Sequence, residues 1–97
     1  MAAYLYVNIE VTDAAGFEAY RKEVPATIAR FGGRYLARGG RTVSLEGDPP
    51  KGRIVISVFD SVEQAKAWRN SPEYAKIAAV RLREATSRQY IVEGLPE

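Results

Sequence analysis

YLYVNIEV, residues 4–11, sets Leu5, Val7, Ile9 and Val11 on one side of an extended chain and Tyr4, Tyr6, Asn8 and Glu10 on the other. A period of two makes this a strand. Its aliphatic side belongs against a core, and its other side is too aromatic to be simply a wet surface. The sheet it enters therefore needs two different coverings, and the rest of the chain must supply at least one.

Working outward, Asp13 offers an N-cap, and Phe17, Tyr20, Val24, Ile28 and Phe31 recur at helical spacing. Glu18 and Lys22 are spaced as an i,i+4 pair. Pro25 has no N–H and crowds the preceding turn, so a kink or restart is predicted near Val24. Gly32 and Gly33 end the helix. Residues 34–38 read as a second strand, which 41–45 (RTVSL) continue past a bend or bulge at Gly39-Gly40. EGDPPKG, 46–52, is a loop, and RIVISVF, 53–59, a third strand. Ser61 opens the capping-box pattern SVEQ of a short helix with Ala65 and Trp68 inward. Ser71-Pro72-Glu73 starts helix again, with Tyr74, Ile77, Ala78, Arg81 and Leu82 on its buried stripe. SRQYIVEG, 87–94, supplies a fourth strand.

Strand, helix, strand, strand, helix, strand is the ferredoxin-like split βαβ order, an α+β fold with an antiparallel sheet, here as one domain over residues 1–97. Both helical segments cover one sheet face. The opposite face, on the order of 300 Å² in projection, is most economically covered by a second copy, giving a homodimer.

Composition narrows the chemistry. The 97 residues contain no cysteine and no histidine. Thiolate nucleophiles, disulfides and zinc-thiolate sites are thereby excluded, along with the commonest general base. A reducing cytoplasm is the corresponding expectation, and neither metal nor cofactor is expected. With 14 basic and 12 acidic residues dispersed along the chain, net charge +2 gives little reason to expect a nucleic-acid or membrane partner. The third strand also lacks the stacking aromatics of an RNA-binding sheet. No segment has the roughly 18 apolar residues of a membrane span.

Tyr, Arg and Trp remain as candidates. In GGRYLARGG, 32–40, the glycines either turn the chain or bring backbone up to a ligand, with Arg38 as a planar charged fork. The segment is neither a P-loop nor a dinucleotide fingerprint. Trp68 either packs as core or walls a cavity between helix and sheet. Arg81, within an apolar stripe, either runs its stem to water or pairs with a carboxylate or ligand. Tyr6 and Asn8 suit a small polar molecule or a dimer interface equally. Arg53 and Glu10 are a possible pair or a solvated rim. No lysine or carboxylate is marked as a base by its surroundings in the sequence.

GGRYLARGG, LEGD at 45–48, RIVISVF, AWRNSPEY at 67–74 and the closing VEG at 92–94 together resemble the domain of unknown function 1330 over nearly the whole chain. The resemblance implies a subunit of the dimeric α+β barrel superfamily, whose relatives include cofactor-independent monooxygenases and isomerases. It places the recurrent residues at Tyr35, Arg38, Gly39, Gly40, Glu46, Gly47, Arg53, Trp68, Ser71, Pro72, Tyr74 and Arg81. Where members often read Glu-Phe-Pro-Ser, this chain has Val58-Phe59-Asp60-Ser61, and Arg69 follows the tryptophan where tyrosine is common. The resulting expectation is a homodimer that binds a small oxygenated organic molecule through Tyr6, Asn8, Arg38, Arg53, Trp68, Tyr74 and Arg81, with cofactor-independent oxidation or isomerisation as its chemistry. The alternative is a non-catalytic dimerisation or partner-binding module.

Overall fold

The computed structural model describes residues 1–96 and, within the last helix, the backbone but not the side chains at positions 80 and 82–84. Leu82, expected on the buried stripe, therefore lies outside the described side chains. The elements are β1 (Ala3–Val11), α1 (Ala14–Arg30), β2 (Arg34–Arg38), β3 (Arg53–Phe59), α2 (Val62–Arg69), α3 (Pro72–Glu84) and β4 (Ala85–Glu93). The sheet order is β2-β3-β1-β4, every neighbouring pair antiparallel. β3 thus lies between β1 and β2, the two strands that α1 connects, which is the split βαβ arrangement.

One expectation is corrected by this topology. The sheet is open: β2 and β4 are its two edges, and they do not meet to close a barrel. The physical reason is strand number, since a barrel interior wide enough to hold side chains takes about eight strands. Here the core is built on one face only, against the helices.

Local sequence explains the helices. Asp13 accepts from the N–H groups of Ala15 and Gly16 at 3.1 and 3.2 Å, satisfying two donors of the first turn. Ser61 and Ser71 cap α2 and α3 in the same way through Gln64 and Tyr74 N–H, each at 3.1 Å. At the end of α1, Gly32 N–H reaches Ala29 C=O and Gly33 N–H reaches Ile28 C=O. This is the Schellman pattern, and Gly32, at φ 80°, takes its left-handed position.

Three local expectations are revised. First, α1 runs unbroken through Pro25. Proline withholds its N–H from the carbonyl of Arg21, four residues earlier, and the Arg38 guanidinium donates to that carbonyl instead. Second, Glu18 pairs with Arg21 at 3.5 Å rather than with Lys22, both partners about half exposed, so the pair adds little stability. Third, residues 41–45 do not extend β2. All of 40–50 is exposed, and the bulge falls inside the strand, between Tyr35 and Ala37.

The core lies between the helices and one sheet face. Leu5, Val7 and Ile9 of β1 meet Phe17, Tyr20, Val24 and Ile28 of α1 and Trp68, Tyr74 and Ile77 of the later helices. On the other face Tyr4, Tyr90 and Val92 are 39, 54 and 57% exposed. There Tyr6 pairs across the strands with Tyr90 and Ile56, and the two tyrosine rings stand 6.3 Å apart.

Candidate functional site

Between α1 and the covered sheet face is a cavity of about 440 Å³. That volume falls within the range of small-molecule sites. Its walls are aromatic at Phe17, Tyr20, Tyr35 and Trp68, aliphatic at residues such as Val7, Val24 and Val55, charged at Arg38, Arg53 and the Glu18–Arg21 pair, and polar at Ser57 and Gln89.

The bulge in β2 builds one wall. Tyr35 is opposite Ser57, and Arg38 is opposite Val55. Tyr35 and Arg38 are three apart, so a regular strand would send them to opposite faces. The extra residue turns both toward the cavity. There the guanidinium carbon of Arg38 stands 4.8 Å from the centre of the Tyr35 ring. The carbonyl that Pro25 leaves free holds the same guanidinium. Gly39, next in the chain, also lines the cavity and ends β2 by donating to Ile54 C=O at 3.0 Å.

Burial pushes the Tyr35 phenol above its usual pKa, with the Arg38 charge opposing. Tyr20 is raised further, mainly by burial and then by Tyr74. Both phenols are therefore neutral at physiological pH, hydrogen-bonding groups rather than bases.

Behind the cavity runs a buried polar chain. Tyr20 and Tyr74 hydroxyls are 3.0 Å apart, and Arg81 Nε donates to Tyr74 Oη at 2.9 Å. Arg81 also donates through Nη1 to Ser87 Oγ at 2.6 Å, which accepts in turn from Gln89 at 3.4 Å. Arg81, 4% exposed, is thus satisfied by hydroxyls, which anchor its charge within the core. Trp68 Nε1 donates to Thr27 Oγ1 at 2.9 Å, and its ring packs on Tyr74 and Phe59 with centres 4.5 and 5.8 Å away.

The seven sequence candidates divide accordingly. Arg38, Arg53 and Trp68 line the cavity. Tyr74, with no exposed surface, and Arg81 stand behind it as its support. Tyr6 and Asn8 are on the opposite side of the sheet, since β1 alternates and Leu5, Val7 and Ile9 take the cavity side. Tyr20, Tyr35, Ser57 and Gln89 were not among the candidates. Ser57 was detectable, because it shares strand parity with Val55 and Phe59 and is thus a polar residue on the inward side. Among the described residues, no group of three or more His, Cys, Asp or Glu gathers as a metal site. No described helix is long and apolar enough to cross a membrane.

Residues 2–95 match the family model of the domain of unknown function DUF1330. The chain belongs to the DUF1330 family. No curated protein sequence matches it. Among solved structures, the RPA0582 protein of unknown function from Rhodopseudomonas palustris superposes at TM-score 0.77 with 18% identity, covering 99% of this chain and 84% of that one. SnoaB, a cofactor-independent oxygenase from Streptomyces nogalater, superposes at 0.71 with 18% identity, covering 99% and 95%. A dimeric ferredoxin-like protein of unknown function from Jannaschia sp. CCS1 superposes at 0.67 with 10% identity, covering 97% and 100%. At these identities what this DUF1330 chain shares with them is the fold.

Proposed function

We propose that this DUF1330 protein binds a small, planar, oxygenated aromatic molecule in the cavity between α1 and the sheet, with an acidic oxygen of the ligand held at Arg38. The observation that carries the reading is the bulge-directed pair of Tyr35 and Arg38 at an aromatic-walled cavity. A guanidinium and a neutral phenol side by side suit a carboxylate or enolate oxygen.

The reading extends to cofactor-independent oxidation, supported by the fold shared with SnoaB. In such a step a substrate CH₂ beside a carbonyl becomes a second carbonyl. Dioxygen supplies one atom to it and leaves the other as water, so the substrate provides all the electrons. Arg38 and Tyr35 stabilise the enolate oxygen left when that CH₂ gives a proton to solvent, a proton regained when the second oxygen atom leaves as water.

Arg38→Gln tests the site, because it removes the charge from the anchor, and a neutral ligand of the same shape controls for any local change at the Arg21 carbonyl. Calorimetric titration is expected to show 2-naphthoate binding weakened about tenfold or more, with neutral 2-naphthol unchanged. Equal affinity of both proteins for the carboxylate would reject Arg38 as its anchor.

A separate observation concerns assembly. The uncovered sheet face carries Tyr4, Tyr6, Tyr90, Ile56, Val58 and Val92 with no helix over it. We propose that a second copy covers it, face to face, a reading supported by the dimeric description of the Jannaschia relative. Tyr6→Asp places a charge at the middle of that face and is expected to halve the mass measured by light scattering. A wild-type protein that is already monomeric removes this reading and leaves the cavity untouched.

A further inference from the structure

Ser57 is 1% exposed, lines the cavity, and its Oγ has no hydrogen-bond partner among the described residues. Its neighbours across the sheet are Leu5 and Tyr35, and the inward residues before and after it on β3 are Val55 and Phe59. A buried hydroxyl without a partner carries an uncompensated desolvation cost, and buried polar groups are nearly always satisfied. An alanine here would serve the core as well. The other buried polar groups nearby are all engaged: Tyr20 with Tyr74, Arg81 with Tyr74 and Ser87, and Trp68 with Thr27. Ser57 therefore stands apart from the buried polar groups around it.

Its position also gives the cavity a direction. Along β3, Ser57 is four residues from Arg53, about 13 Å of strand at ~3.3 Å per residue. Arg53 brings positive charge to that end of β3, Arg38 enters opposite Val55, between Arg53 and Ser57, with its guanidinium over Tyr35, and Ser57 is a neutral donor and acceptor beyond Val55. Glu18 and Arg21 also line the cavity and pair with each other at 3.5 Å, and neither ion pair among the described residues engages Arg38 or Arg53.

We propose that Ser57 Oγ is a ligand-recognition group, hydrogen-bonding a neutral hydroxyl or carbonyl oxygen at the inner end of an aromatic acid whose anionic end is held at Arg38 and Arg53. This rests on the cavity being the binding site and specifies its ligand class: a rigid aromatic scaffold oxygenated at both ends, acidic at one and neutral at the other. A site built to pair a ligand hydroxyl discriminates against the analogue lacking it, because the protein group is then left unpaired.

The test uses 6-hydroxy-2-naphthoate and 2-naphthoate with wild type and Ser57→Ala, by titration calorimetry. Wild type is expected to prefer the hydroxylated acid by about tenfold. Ser57→Ala is expected to abolish that preference while binding 2-naphthoate as wild type does. Its Tm without ligand is expected to be no lower than wild type, since the removed hydroxyl has no partner, and this separates lost recognition from damaged folding. A preference that survives in Ser57→Ala overturns the proposal, as does an equal loss of affinity for both acids. If wild type binds both acids equally and Arg38→Gln weakens both, the Ser57 assignment falls and the cavity reading stands. If wild type binds neither, both fall.

Discussion

Gly52→Ala is expected to destabilise the protein by on the order of 4 kcal/mol, read from urea denaturation midpoints at one fixed protein concentration. Gly52 has φ 75°, and a Cβ there would lie 2.1 Å from the carbonyl oxygen of Ile9 and 2.7 Å from its carbon. The left-handed conformation alone costs a side chain about 1–2 kcal/mol. The remainder comes from pushing apart two backbones where Arg53, the next residue, pairs with Ile9. No rotamer change relieves such a contact, because the position of a Cβ is fixed by its own backbone and the atoms it meets are main chain. Gly40→Ala is the matched control: its Cβ meets nothing within 4 Å, and its φ is not positive. A change of less than about 1 kcal/mol is expected there. Similar losses at both positions would show that the β3–β1 approach is not what requires glycine.

Trp68→Ala is expected to cost about 3–5 kcal/mol. Trp68 is 2% exposed and sits between Tyr74 and Phe59, so its removal enlarges the existing cavity toward the two rings that support it. Its lost hydrogen bond is the smaller part, because Thr27 Oγ1 still donates to Val24 C=O at 2.7 Å. Trp68→Phe keeps an aromatic wall and should retain most of the stability, losing about 1–2 kcal/mol. If alanine and phenylalanine cost the same, the hydrogen bond rather than the packing governs the site.

Much of the fold is legible in the pattern of residues because it is local. Alternation in 4–11 and a β-branched apolar run in 53–59 mark strands, three- and four-residue recurrence marks α1, and Asp13, Ser61 and Ser71 announce their helices with side chains that bond a few residues away. Such interactions close short loops, so sequence spacing is nearly spatial spacing. Pro25 shows where this stops. Locally it argues for a broken helix, yet the carbonyl it frees is taken by Arg38 from another element, and α1 continues. The barrel expectation fails for a related reason, since closure depends on which strand edges meet, and alternation along a strand does not encode that.

The candidate site is less legible. Arg38, Arg53 and Trp68 were prominent in distinctive motifs and do line the cavity, whereas Tyr6 and Asn8, equally polar and aromatic, face away from it. Strand parity separates these two groups once the helices' side is known, and the aliphatic row of β1 identifies that side. Tyr20 and Tyr35 needed more, because a tyrosine at a buried helical position or in a short strand reads as packing until the space beside it is visible.

By itself the chain's pattern of apolar, capping and turn residues determined the order of elements, the aliphatic face of β1, and the absence of thiol and imidazole chemistry. Those properties depend on residue identity and short-range spacing. Only the tertiary structure decided that a bulge turns Tyr35 and Arg38 to the same side, that Arg81 is satisfied by hydroxyls, and that the buried Ser57 Oγ on the cavity wall has no partner among the described residues. Each of these depends on registers and packing between segments distant in the chain, where a shift of one residue reverses the direction of a side chain.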